Sequence, residues 1–201
     1  WINCGGSCIT MSIRVSKPAF NLRDKLNELD GKVPLHKMPH GSIIQVKNLE
    51  YDTIFSSNHS GNQYVDVTDF NLDFAPKFST SEILIEAAVA GGLNDNYGYN
   101  FRFRVVRTID NANAGTVNMG EGSAQYSMTG GYNLYNSDSS TPYIFGMSKT
   151  FMDKPGTTEK INYKIQVSHT HSSSGATVYV NRRGSGSNWT SISTLTIMEV
   201  R

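Results

Sequence analysis

Residues 160–171 read KINYKIQVSHTH, and their alternation decides the fold class. Ile161, Tyr163, Ile165 and Val167 recur at every second position, with Asn162, Lys164 and Gln166 between them. A period of two marks a strand with one buried face, because successive side chains on a strand point to opposite sides. The period returns in YGYNFRFRVVRTI (97–109), where Tyr99, Phe101, Phe103 and Val105 share one face and Asn100, Arg102 and Arg104 the other. QYVDVTDFNLDFAP (63–76) alternates with one register change in its middle.

Working outward, SIIQVKNLEYDTIF (42–55), the apolar run SEILIEAAVAGG (81–92), PYIFGMSKTFMD (142–153) and SISTLTIMEV (191–200) read as further strands. TVYVNRR (177–183) is expected to pair with 160–171 as a hairpin across the SSSG turn. Residues 110–141 are rich in Gly, Asn and Ser and read as long loops with one or two short strands. Eight to ten short strands predict an all-β sandwich or jelly roll over residues 41–201.

Composition agrees. Apolar residues are 38%, charged residues 17%, and there are 18 glycines; a Gly-, Asn- and Thr-rich chain suits many turns and pleated surfaces. The net charge of +1 gives no polyelectrolyte attraction to nucleic acid or to an anionic membrane. No apolar run is long enough to span a bilayer as a helix.

Before the strands, NLRDKLNELDG (21–31) places Leu22, Leu26 and Leu29 on one helical stripe, with Asn21 as N-cap and Gly31 as terminator. So short a helix does not stand alone in water, where roughly 12–15 residues are needed. The stripe is therefore expected to pack on its own domain, on copies of itself or on a partner. Residues 11–40 form this helical anchor and a Pro-containing extended linker. Residues 1–10, which hold both cysteines, carry no pattern ahead of Met11. They read as a leader, either translated upstream sequence or a flexible N-terminus.

The final strand, STLTIMEV, sets Leu195, Ile197 and Glu199 on one face and Thr196, Met198 and Val200 on the other. Apolar groups on both faces predict a strand central in its sheet or buried against other subunits. A central C-terminal strand resembles the jelly rolls of the tumour-necrosis-factor and complement-globular-head type, which assemble as trimers about that strand.

The resemblance extends to a family of small virion proteins of tailed phages that infect marine bacteria and cyanobacteria. It rests on KPAFNLRDKLNELD (17–30), GSIIQV (41–46), SEILIEAAVAGG, TVYVNRR and ISTLTIMEV (192–200), and covers most of residues 11–201. The 110–141 region departs from it, being longer and more polar. The resemblance implies a homotrimeric fibre tip, head fibre or decoration protein, made in the host bacterial cytoplasm and held in the particle with other virion proteins. Leu22, Leu26, Leu29, Leu195, Ile197 and Met198 would then serve anchoring and oligomerisation.

Candidate chemistry is sparse. His169 and His171 follow the phase of the apolar face and stand about 6.5–7 Å apart on an extended strand. Two imidazoles do not complete a metal site; three copies about a threefold axis would supply six. The competing reading is a strand end turning polar, with no cofactor. No G-x-S-x-G nucleophile elbow occurs and no carboxylate pair is singled out, so no enzyme is expected. Tyr126, Tyr132, Tyr135 and Trp189 are candidates for stacking on a host-surface glycan. They are equally what strand edges of β proteins hold. The alternative to a virion component is a free-standing lectin-like module.

Overall fold

The computed structural model describes residues 34–94, 97–110, 117–119, 129–135, 144–170, 176–184 and 189–201. For 97–99 and 132–135 it describes the strand path only. The leader 1–10 and the helix expected at 21–31, with Leu22, Leu26 and Leu29, lie outside the described residues.

By its contacts the chain divides into Trp1–Met38 and Pro39–Arg201. In the first unit, the described residues 34–38 hold one 3-10 turn, Leu35–Lys37, entered from Pro34 at φ −55° and ψ 135°. The spacer is thus not extended throughout.

The second unit consists of eleven described strands: β1 (Ile43–Tyr51), β2 (Phe55–Asn58), β3 (Val65–Phe74), β4 (Glu82–Leu93), β5 (Tyr97–Ile109), β6 (Val117–Met119), β7 (Gly130–Tyr135), β8 (Phe145–Asp153), β9 (Ile161–His169), β10 (Thr177–Val180) and β11 (Ser193–Val200). They form two antiparallel sheets. Without the short β2, β6 and β10, the first runs β1-β11-β4-β8 and the second β3-β9-β5-β7. Those orders are what a single ribbon of antiparallel pairs gives when it is wrapped into two layers. Its pairs are β1 with β11, β3 with β9, β4 with β8 and β5 with β7. The protein is a jelly-roll β-sandwich.

Alternation becomes burial as expected. Ile161, Tyr163, Ile165 and Val167 are fully buried, facing Phe101, Phe103 and Val105 in the same sheet and Ile83, Ile85, Leu195 and Ile197 in the other. The register change in β3 falls between Asp66 and Asn71. Asp69 there takes a left-handed φ of 61°, which moves the inward phase from Val67 to Phe70, Leu72 and Phe74.

One expected pairing is wrong. TVYVNRR does not form a hairpin with 160–171: β10 pairs with β2 and β4 in the opposite sheet. Both edges of β9 are already taken, by β3 and β5. Along β4, β11 covers Glu82 to Ala88 and leaves Gly91 to Leu93 for β10. Strand β11 itself lies between β1 and β4, central as its two apolar faces predict.

Candidate functional site

Within the first sheet the register sets Val46 opposite Met198, Met198 opposite Leu84, and Leu84 opposite Met152. All four project from the outer face, since their neighbours Ile83, Ile85 and Ile197 point into the core. They make one apolar row across four strands, about 14 Å long at the usual strand spacing. Val46 is 55% exposed and Met152 41%. Ile43, 49% exposed, pairs with Val200 and widens the row at the β1–β11 corner. Beside it the surface turns polar: Asn48, Thr196, Glu86 and Thr150 form the next row, with Thr196 Oγ1 donating to Asn48 Oδ1 at 2.8 Å. On the other flank Lys154 pairs with Glu82.

Three residues singled out in the sequence bear on this face. Met198 lies in the row. Leu195 and Ile197 do not: both are fully buried between the sheets, so they stabilise the sandwich and are unavailable to another subunit. Alternation assigned them a shared face but could not say that this face is the inner one. Val46, Leu84 and Met152 were missed, although the unbroken run Ile83-Leu84-Ile85, apolar on both faces of the strand, carries the signal.

A second feature lies where β10 meets the segment before β11. Trp189 is 62% exposed, with the Arg183 guanidinium 5.7 Å from its ring centroid. The Arg183 amide donates to the Trp189 carbonyl oxygen at 3.2 Å. Arg182 covers the Tyr179 ring at 4.7 Å. Such aromatic and guanidinium faces suit a sugar ring and its polar substituents. The other expected aromatics do not gather here in the described structure. Tyr126 lies outside the described residues, and Tyr132 and Tyr135 belong to β7 in the opposite sheet.

His169 ends β9 with its ring fully buried. Its Nε2 lies 2.9 Å from the His59 carbonyl oxygen. The ring is thus enclosed by its own chain, with its Nε2 against its own backbone. His171 lies outside the described residues. Among the described residues no group of three or more His, Cys, Asp or Glu is placed to hold a metal ion, and no helix is long and apolar enough to cross a membrane.

No protein-family model matches the chain, and no curated protein matches it. Among solved structures it is similar to that of the infectious bursal disease virus Gt strain, at 12% identity and a TM-score of 0.39 over 79% of this chain and 38% of that one. The Gx strain structure gives 12% identity and a TM-score of 0.40 over 78% and 37%. The VP2 subviral particle of the same virus gives 14% and 0.34 over 80% and 39%. This chain thus spans less than two fifths of the length of the chains it resembles, and a likeness this distant carries nothing about function.

Proposed function

We propose that this chain is a structural component of a virus particle, a fibre tip, head fibre or decoration protein of a tailed phage, that assembles as a homotrimer. The reading assigns it no reaction and no cofactor. The apolar row Val46–Met198–Leu84–Met152 carries the proposal. A contiguous apolar band on the solvent face of a sheet is what a subunit contact requires and what an isolated domain avoids. Copies of this chain are the occupant. Glu82 and Glu86 stand at the rim with Lys154, so the border holds both signs that a self-complementary contact needs. Mass spectrometry of purified phage particles tests the role: the chain is expected at a stoichiometry comparable to other minor virion proteins, and its absence from particles overturns the reading.

Trp189 favours a second reading, contact with host-surface glycan, either on the particle or as a free-standing lectin-like module. A glycan array probed with the wild-type chain and with Trp189→Ala tests it. Binding lost in the variant supports the glycan contact, and no binding by the wild type removes it.

A further inference from the structure

At one end of the sandwich the connection between β2 and β3, residues 59–64, is tied to the ends of β9 and β5. Two imidazoles meet there, His59 at 9% exposure and His169 at 0%, with ring centroids 4.6 Å apart and planes inclined at 45°. A carbonyl oxygen can only accept, so the His169 Nε2 facing the His59 carbonyl at 2.9 Å carries a proton. The His169 carbonyl in turn accepts from the Asn62 amide at 2.7 Å and from Arg102 Nη2 at 3.1 Å. Arg102 Nη2 also donates to Asn62 Oδ1 at 2.8 Å. The connection is therefore fastened to His169 at residue 59 and again at residue 62.

Among the described residues, the charges around the pair are cationic or absent. Strand β5 brings Arg102, which is 2% exposed, and β9 brings His169. The nearby ends of β2, β10 and β4 bring Asn58, Thr177 and Leu93, none of them charged. On β3 the first carboxylate, Asp66, is engaged by Lys164 and Gln166. Among the described residues neither ring nitrogen of His59 has a partner in good hydrogen-bond geometry, although backbone groups of Ser57 and Gln63 approach the ring. A proton added to that ring would be a buried positive charge beside a second imidazole and close to a buried guanidinium.

We propose that the His59–His169 pair is an acid-released latch, which holds residues 59–64 against the sandwich while both rings are neutral and lets them lift when His59 takes a proton. Lifting exposes the ring to water, and opening one surface connection costs less than unfolding the sandwich. The direction of titration agrees. Burial, and after it the charge of His169, lowers the His59 pKa below its ordinary 6.5, although backbone groups of Ser57 and Gln63 act the other way. With the folded pKa lowered, the closed form is fully favoured above 6.5. It loses stability as the pH falls through that value, and the loss levels off once the pH is below the depressed pKa.

Amide hydrogen exchange by NMR, corrected for the intrinsic pH dependence of exchange, tests the latch on the intact chain. Below about pH 6.5 the Asn62 amide is expected to lose about tenfold in protection per pH unit, the slope of a single proton, while the Ile197 amide in β11 does not change. His59→Phe should abolish that dependence. In the wild type, the His59 ring resonances should titrate below 6.5. The latch is overturned by Asn62 protection that stays constant down to about pH 5, by a His59 that titrates at or above its ordinary value, or by a His59→Phe variant with the wild-type dependence. Should that variant not fold, the two wild-type measurements decide alone.

Discussion

Asp153 on β8 and Tyr163 on β9 join the two sheets: the Tyr163 hydroxyl donates to Asp153 Oδ2 at 2.7 Å. Arg107 Nη1 on β5 donates to Oδ1 of the same carboxylate at 2.6 Å. Asp153 is 4% exposed and Arg107 15%, so removing the carboxylate leaves the guanidinium unpaired in a largely enclosed position. Asp153→Ala should cost about 3–5 kcal/mol, in the range seen when one partner of a buried ion pair is removed. Tyr163→Phe, which removes one neutral donor, should cost about 1–2 kcal/mol. Urea unfolding of the two variants checks the order, and equal losses would contradict it.

The same hydroxyl sets a limit at high pH. Burial first, and then the Asp153 charge, pushes the Tyr163 pKa far above its ordinary 10.0. Tyr51 is raised by burial and by Asp69 and Asp52. The unfolded chain therefore releases protons that the folded chain retains, so this contribution to stability is present below pH 10 and is lost as the pH rises above it. In an alkaline absorbance titration the Tyr163 phenol should ionise only together with unfolding, and Tyr51 at higher pH than an exposed phenol. Ionisation of all ten tyrosines in the folded protein would refute this.

Asn181 is a junction in a left-handed conformation, φ 60°. Its Nδ2 donates to the Tyr51 carbonyl at 2.5 Å and the Thr53 carbonyl at 3.1 Å, and its Oδ1 accepts from Ser193 Oγ at 2.6 Å. Asn181→Gly keeps the backbone and loses those bonds, which should cost about 3 kcal/mol. Asn181→Ala should cost about 1 kcal/mol more, the added penalty of a β-carbon in that conformation. Thermal melts of the pair check the difference; an alanine variant as stable as the glycine one would contradict it.

Gly91 on β4 faces Phe101 on β5 so closely that an added Cβ would lie 2.2 Å from Phe101 Cζ. Gly91→Ala should therefore destabilise by about 1–3 kcal/mol through overpacking. Combining it with Phe101→Leu should recover part of that loss relative to the sum of the single changes. Strict additivity in a double-mutant cycle would argue against the contact.

Which parts of this were legible in the sequence depends on the range of the interaction. The phase of Ile161 to His169 and the central place of β11 follow from side-chain alternation, a local property. The partner of TVYVNRR does not, because it depends on which edges other strands leave open, and alternation carries no information about edges. Arg102 occupies the polar phase of β5 yet is buried, because Asn62, forty residues away, folds over it. Leu195 and Met198 sit on opposite faces as the sequence indicates. Only the opposing sheet shows which of those faces is left for a partner.

That outer face makes the account testable at its centre. Sedimentation equilibrium should give three times the 22.2 kDa chain mass for the wild type. For Val46→Lys combined with Met198→Glu it should give the single-chain mass, with an unchanged β-sheet circular dichroism spectrum. A wild-type chain that is monomeric at all concentrations, or a double variant that remains trimeric, would contradict assembly through the Val46–Met198–Leu84–Met152 row.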